Sequence, residues 1–234
     1  MSRSDQLEPG AVAERYGRRP VDDRYSLLRP DVWQTVQERQ RAMLRLFARP
    51  GVSDLATLRL LEVGCGAGGN LLELLRIGFA PAYLSGVELL PERYAQARAV
   101  LPPTLRLIEG DALQADVPPA SQDIVLVATV FSSLLDDGFQ QRLADAMWQW
   151  LKPGGAVLWY DFTIDNPRNA DVRGVPLARV QELFPQGIVE PTRVTLAPPI
   201  ARFVCRAHPA LYTVFNTLPW LRTHLLCWIA KPNP

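Results

Sequence analysis

Cysteine is scarce in this chain: three occur in 234 residues, Cys65, Cys205 and Cys227. An odd number without metal-like spacing excludes a disulfide framework and a zinc pattern, and thiols in apolar or glycine-rich surroundings suit a reducing cytoplasm. No metal site is expected. Net charge is nearly absent as well, because 25 basic residues face 24 acidic ones. A protein that wraps nucleic acid carries a clustered basic excess, so arginines dispersed among almost equal acids predict no nucleic-acid partner. Long hydrophobic runs are also missing. Met1 to Arg19 is charged and holds no apolar stretch, so no secretory signal is read there and a cytoplasmic protein is expected. The most apolar segment, Leu211 to Ile229, is broken by Pro219, Arg222 and His224, and falls short of the roughly 20 clean residues of a transmembrane span.

Glycine, in contrast, is concentrated in one place. The stretch from Leu60 to Asn70 runs an apolar strand into Gly64, Gly66, Gly68 and Gly69 and then into a helix to Ile77. Such a turn permits positive φ and close approach of a ligand to the main chain at the carboxyl end of a strand. The spacing Gly64-x-Gly66-x-x-Gly69 also satisfies the dinucleotide fingerprint, in which a pyrophosphate lies on the helix amino end. Glu88, at the end of the next strand, serves either reading as an acceptor for ribose hydroxyls. Glu62 separates them: a carboxylate two residues before the first glycine repels a pyrophosphate but pairs with an ammonium group. A third acid, Asp111 in Glu109-Gly110-Asp111-Ala112, is placed to accept from an adenine amine.

Apolar runs and helical stripes alternate along the chain. Strands are read at 58–63, 83–89, 105–109, 123–130 and 156–162, with helices at 31–48, 70–77, 91–100 and 139–151 between or before them. This alternation makes a parallel sheet with helices on both faces. Beyond it come a short helix at 175–184, a strand at 187–196, a helical, aromatic-rich insertion at about 199–218 and a final strand at 224–230. Residues 1–50 read as a tail and helix, and 51–234 as one domain.

Through LEVGCGAGG, GVEL, GDA, DIVLVATV and LKPGG, in that order over roughly residues 58 to 162, the chain resembles the class I S-adenosylmethionine-dependent methyltransferases. The resemblance implies a Rossmann-like α/β fold, a seven-stranded and mostly parallel sheet of order 3-2-1-4-5-7-6. It implies S-adenosylmethionine as cofactor; transfer to an oxygen of a small-molecule or glycan acceptor is the leading reading. Gly64, Gly66 and Gly68 would line the methionine portion, Glu88 and Leu89 the ribose, Asp111 and Ala112 the adenine, and Thr129 and Val130 the far wall. Glu62 is either a direct ligand or an organiser of the loop. Asn70 is either a helix-start residue, the reading preferred here, or a contact to the cofactor carboxylate.

Acceptors in open α/β sheets enter over the carboxyl ends of the strands. That points to Ser132 and Ser133 after the fourth strand and to Asn166, Arg168 and Arg173 in the polar loop after the fifth. Asp161 and His208 are the candidate bases, and the sequence does not choose between them. Tyr16, Arg18, Arg19 and Tyr25 are either a solvated tail or a lid over the cofactor. Two other classes of function stay open: a non-catalytic module using Tyr212, Phe215 and Trp220 as an interaction patch, and a NAD-dependent oxidoreductase. A homodimer stays open alongside a monomer.

Overall fold

The computed structural model describes residues 3–19, 23–49, 52, 54–167 and 169–233, with side chains from residue 8 onward. Seven strands form one sheet: β1 (Leu60–Val63), β2 (Leu84–Glu88), β3 (Arg106–Glu109), β4 (Gln122–Ala128), β5 (Leu151–Phe162), β6 (Ile188–Leu196) and β7 (Arg222–Ala230). Their order is β3-β2-β1-β4-β5-β7-β6. Pairing is parallel from β3 to β5, and β7 is antiparallel to both β5 and β6. The expected sheet and its order are therefore found. Central strands are covered on both faces, which is why Leu60–Val63 is buried at every position and Ile124–Val127 reads as an unbroken apolar run. Pro191 lies in β6, where an edge strand tolerates a missing amide hydrogen.

The helices are α1 (Arg3–Gly17), α2 (Pro30–Phe47), α3 (Gly69–Arg76), α4 (Pro91–Val100), α5 (Asp137–Trp150), α6 (Leu177–Leu183), α7 (Pro198–Ala207) and α8 (Ala210–Asn216). On one sheet face, Leu61, Val63, Val125, Val127, Val157 and Trp159 pack under α5 and α6. The fully buried Trp159 ring meets Phe131 at 4.5 Å and Phe184 at 6.2 Å. On the other face, Leu60, Leu84, Ile124, Leu126, Leu158 and Tyr160 pack under α2 and α3 through Ala42, Leu46, Leu71 and Leu74. The insertion read near 199–218 is the pair α7 and α8, which closes a third small cluster of Leu196, Ala201, Val204, Cys205 and Tyr212.

The amino terminus differs from a tail. Residues 3–17 are helical although Pro9 sits inside the helix and no regular apolar stripe marks it. One face holds it: Glu8, Val12, Arg15 and Tyr16, spaced as neighbouring turns, all engage the body of the domain. Glu8 Oε1 accepts from the Leu135 amide at 2.8 Å and from Arg15 Nη2 at 2.7 Å, and Arg15 Nη2 also donates to the Ser133 carbonyl at 2.9 Å. Tertiary bonds supply what propensity does not.

Candidate active site

The strand tips β1, β2 and β4 and the loop after β3 surround a cavity of about 460 Å³, roofed by α1 and walled on one side by α2. The glycine turn makes its floor. Gly64, Gly66 and Gly68 have φ of +69°, +57° and +84°, as expected. A Cβ on Gly64 would lie 2.5 Å from Val130 Cγ2, so any side chain there would displace the wall. Gly68 does another job than the one expected of it. It caps α3 and faces Leu101, whose Cδ1 would sit 2.8 Å from an added Cβ, and Gly69 lines the cavity in its place. Cys65 is buried beneath the turn, where desolvation and the nearby Glu62 and Glu88 push its thiol pKa far up and keep it an inert neutral group.

Glu88 holds the turn shut. Its Oε2 accepts from the Gly66 amide at 2.7 Å and its Oε1 from the Leu90 amide at 2.9 Å, leaving further lone pairs for a ligand's hydroxyls. Asp111 Oδ1 accepts from Leu113 N at 3.0 Å at the start of a short 3-10 turn, and Asp111 and Ala112 line the cavity beside Leu89. Thr129 and Val130 form the opposite wall. Thr129 has φ +55°, a strained conformation for a β-branched residue, and its amide donates to Tyr160 O at 2.7 Å.

A charged relay occupies the α2 end. Arg39 Nη2 donates to Asn70 Oδ1 at 2.7 Å, and Asn70 Nδ2 donates to Glu62 Oε1 at 2.6 Å. Asn70 is thus not the helix cap that was preferred: its amide is spent bridging an acid to a base, one turn position inside α3. Burial pushes the Glu62 carboxyl up to about 7, against the lowering effects of Asn70 and Arg39. Glu62 Oε2 and Arg39 Nε are buried with no hydrogen-bond partner among the described residues. Unpaired polar atoms in such a place cost free energy unless a ligand completes them. An ammonium at Glu62 and a carboxylate at Arg39 would do so, which makes this end a fit for the amino-acid portion of S-adenosylmethionine.

Several residues expected in the acceptor site lie elsewhere. Asp161 is 1 % exposed, beneath the loop after β4. Its Oδ2 accepts from the Ser132 amide at 3.0 Å and its Oδ1 from the Phe162 amide at 2.9 Å; it does not line the cavity. Burial raises its pKa to about 7. His208 is exposed at the end of α7, with Nδ1 accepting from Ala210 N at 3.1 Å, also away from the cavity. Neither candidate base therefore reaches the reaction space. Of the two serines, Ser133 lines the cavity, its hydroxyl 3.3 Å from Tyr16 Oη, while Ser132 is turned into the protein. Arg173 pairs with Asp137 in a separate depression with Arg179 and Glu182, and its amide donates to Ser132 O at 2.8 Å. Asn166 is exposed outside the cavity, and Arg168 lies outside the described residues.

Other residues enter unannounced. Arg39, Arg93, Val12 and Pro9 line the cavity together with Tyr16 and Tyr25. Arg39 had a legible signal, since a cation at 39 shares the helical stripe of the buried Ala42 and Leu46. Val12 and Pro9 had none, because α1 has no apolar periodicity to read.

Residues 60–155 match the family model described as a methyltransferase domain. No curated protein matches the chain. Among solved structures, an S-adenosylmethionine-dependent methyltransferase from Mesorhizobium loti shares 18 % identity at TM-score 0.59, over 82 % of this chain and 96 % of that one. A chain of the complex between the Haloferax volcanii Trm112 methyltransferase activator and a methyltransferase shares 18 % identity at TM-score 0.62, over 92 % and 99 %. Haemonchus contortus phosphoethanolamine N-methyltransferase 2, solved with S-adenosyl-L-methionine, shares 16 % identity at TM-score 0.62, over 95 % of this chain and 60 % of that one. At these identities the structural likeness is one of fold.

Proposed function

We propose that this chain is a class I S-adenosylmethionine-dependent methyltransferase that delivers its methyl group to a hydroxyl of a small molecule or glycan. One observation carries the reading: a single cavity offers a buried carboxylate with one oxygen, Glu62 Oε2, left without a partner among the described residues, beside the Arg39 guanidinium at one end, and ribose- and adenine-type acceptors at the other, Glu88 and Asp111. Bound there, the cofactor supplies a methyl group already activated on a sulfonium. The protein's part is alignment, which removes most of the entropic cost of bringing two reactants together.

In this reading Glu62 takes the ammonium, Arg39 the carboxylate, Glu88 and Leu89 the ribose, and Asp111 and Ala112 the adenine, with Gly64, Gly66, Thr129 and Val130 as walls. The acceptor enters past Tyr16, Tyr25, Thr129 and Ser133. Arg93, 4.7 Å over the Tyr16 ring at this mouth, repels a protonated amine and suits a neutral hydroxyl or an acceptor with an anionic group. The Haemonchus contortus relative is named for a nitrogen acceptor, and its likeness in fold does not carry that acceptor here. With Asp161 and His208 outside the cavity, the acceptor proton passes to water at the mouth rather than to a side-chain base. Asp161 instead positions the loop after β4. Helix α1 acts as a lid in the same reading, its Val12 and Tyr16 closing over the ligand.

The test uses methyl-labelled cofactor with panels of hydroxylated sugars, small alcohols and amines, and product masses. Label in methyl ethers is expected, with turnover per folded molecule of Asp161→Asn within about tenfold of wild type. Label on amines alone overturns the oxygen assignment. Cofactor binding without transfer to any acceptor favours a non-catalytic module.

A further inference from the structure

The charge of this nearly neutral chain is unevenly spread. After Glu190 there is no acidic residue, while Arg193, Arg202, Arg206, Arg222 and Lys231 follow; the first 190 residues therefore hold 20 basic residues against 24 acidic. Two of the five cations are engaged. Arg222 donates to the carbonyls of Asn216 and Arg193, and Lys231 Nζ to those of Trp148 and Leu151. Arg202 and Arg206 are exposed on α7 and have no ion-pair or hydrogen-bond partner among the described residues.

Between these arginines on the same helix lies Phe203, 75 % exposed. Pro199, Arg202, Phe203 and Arg206 form the outward stripe of α7, opposite the buried Ala201, Val204 and Cys205. The outward stripe of α8 is Ala210, Thr213, Val214 and Thr217, uncharged throughout, opposite the buried Tyr212. Trp220 follows in the next turn, 74 % exposed. Both helices bury their inner stripes in the same cluster, so their outer stripes look away from the domain. Nearby carboxylates on α2 are already committed: Asp31 to Arg29, and Glu38 to the Thr195 amide.

We infer that the α7–α8 face docks on an anionic lipid bilayer, lying in the headgroup layer without spanning it. Phe203, Val214 and Trp220 enter the acyl boundary, and Arg202 and Arg206 meet lipid phosphates. No described helix is long and apolar enough to cross a membrane, so the contact is peripheral. A two-fold contact with a second copy would set unpaired arginines against each other and leave them without partners. Even with the exposed Arg193 counted beside Arg202 and Arg206, three arginines neutralise too few phosphates for nucleic-acid binding, which grows with each phosphate neutralised. Helix α2 packs on both α7 and α8 and carries Arg39 into the cavity, so the docking face and the cavity share one supporting helix.

The experiment is co-sedimentation of the full chain with phosphatidylcholine vesicles, alone or containing phosphatidylglycerol. The protein is expected to pellet with the anionic vesicles only, and less at high salt. Phe203→Ser with Trp220→Ser, and separately Arg202→Glu with Arg206→Glu, are each expected to lower the bound fraction about tenfold. Binding of S-adenosylhomocysteine, followed by thermal shift, should stay at the wild-type level in both variants, which shows them folded and keeps this result apart from the methyl-transfer reading. Failure to pellet with anionic vesicles, unchanged pelleting of both double variants, or pelleting without vesicles through self-association overturns the inference.

Discussion

Two parts of one cavity wall are built by different physics. The side formed by β1, β2 and the turn between Val63 and Gly69 is held by main-chain geometry: three glycines at positive φ, and one carboxylate, Glu88, tying the Gly66 and Leu90 amides of two neighbouring loops at 2.7 and 2.9 Å. The side formed by α1 and α2 is held by long side chains from distant parts of the chain, Arg39 to Asn70 across 31 positions and Arg15 to Ser133 across 118. A main-chain wall tolerates almost no change in shape, because every atom in it is fixed by φ and ψ. A side-chain wall tolerates change at one position and then loses a charge partner rather than a fold.

The largest expected effect tests the rigid wall. In Gly64→Ala the new methyl must take φ +69° and lie 2.5 Å from Val130 Cγ2. Left-handed strain and overpacking together should cost about 3 kcal/mol and displace Val130 from the ligand wall. Gly66→Ala takes a similar φ but its nearest new neighbour is Arg93 Nη1 at 3.9 Å, so strain alone acts. About 1 to 2 kcal/mol is expected there. Thermal melts with and without S-adenosylhomocysteine compare them, with Gly64→Ala expected to lose nearly all ligand stabilisation and Gly66→Ala to keep part. Equal losses would mean that strain rather than contact sets the tolerance of this wall.

The next effect lies where the two walls meet, at Glu62. Glu62→Gln removes a charge partner for an ammonium and should weaken S-adenosylhomocysteine by about 1 to 3 kcal/mol, read by calorimetry. The pH dependence has a definite sign. Glu62 and Asp161 titrate at about 7 in the folded protein, above their ordinary 4.5 and 3.8. Between the ordinary and the raised values the folded state keeps protons that the unfolded chain has lost, so stability is highest at the acid end and falls as pH rises towards 7. Glu62→Gln should flatten one share of that fall and leave the Asp161 share. Ligand affinity runs the other way, because the ammonium selects ionised Glu62 and binding should tighten as pH rises through 7. An affinity flat over that range would remove the Glu62 pairing.

The same contrast explains what could be read in advance. Glycines at fixed spacing and an acid at a strand end are local facts, so the floor and the places of Glu88 and Asp111 were legible, whereas the order of the seven strands came from the family resemblance. Alternation of apolar runs with helical stripes is likewise local. Asp161 was misread because its position at the end of β5 does not reveal that its side chain turns to the α5 face, under Ser132, rather than upward. His208 was misread because a histidine in a covering insertion looks like a base until its ring is seen closing a turn in the open. Helix α1 was missed because Pro9 and a weak stripe argue against a helix that the long-range bonds of Glu8, Arg15 and Tyr16 and the packing of Val12 then hold in place.

The smallest expected effect falls on a residue that lies on neither wall. Arg173 was one of the acceptor contacts expected of the polar loop after the fifth strand, yet its guanidinium pairs with the exposed Asp137, and its main-chain amide holds Ser132 O whatever side chain it bears. An exposed pair of this kind contributes about 0 to 1 kcal/mol, so Arg173→Ala should melt close to wild type. It should also turn over acceptor and bind S-adenosylhomocysteine as wild type does. Arg39→Ala is the matched control, since it removes a cation that lines the cavity and should lower ligand affinity about tenfold or more. Steady-state kinetics on the two variants, with the same acceptor, sets one guanidinium against the other. A collapse of turnover in Arg173→Ala with cofactor affinity intact would mean that the acceptor reaches the depression between α5 and α6, and the side-chain wall would then extend well past α1 and α2.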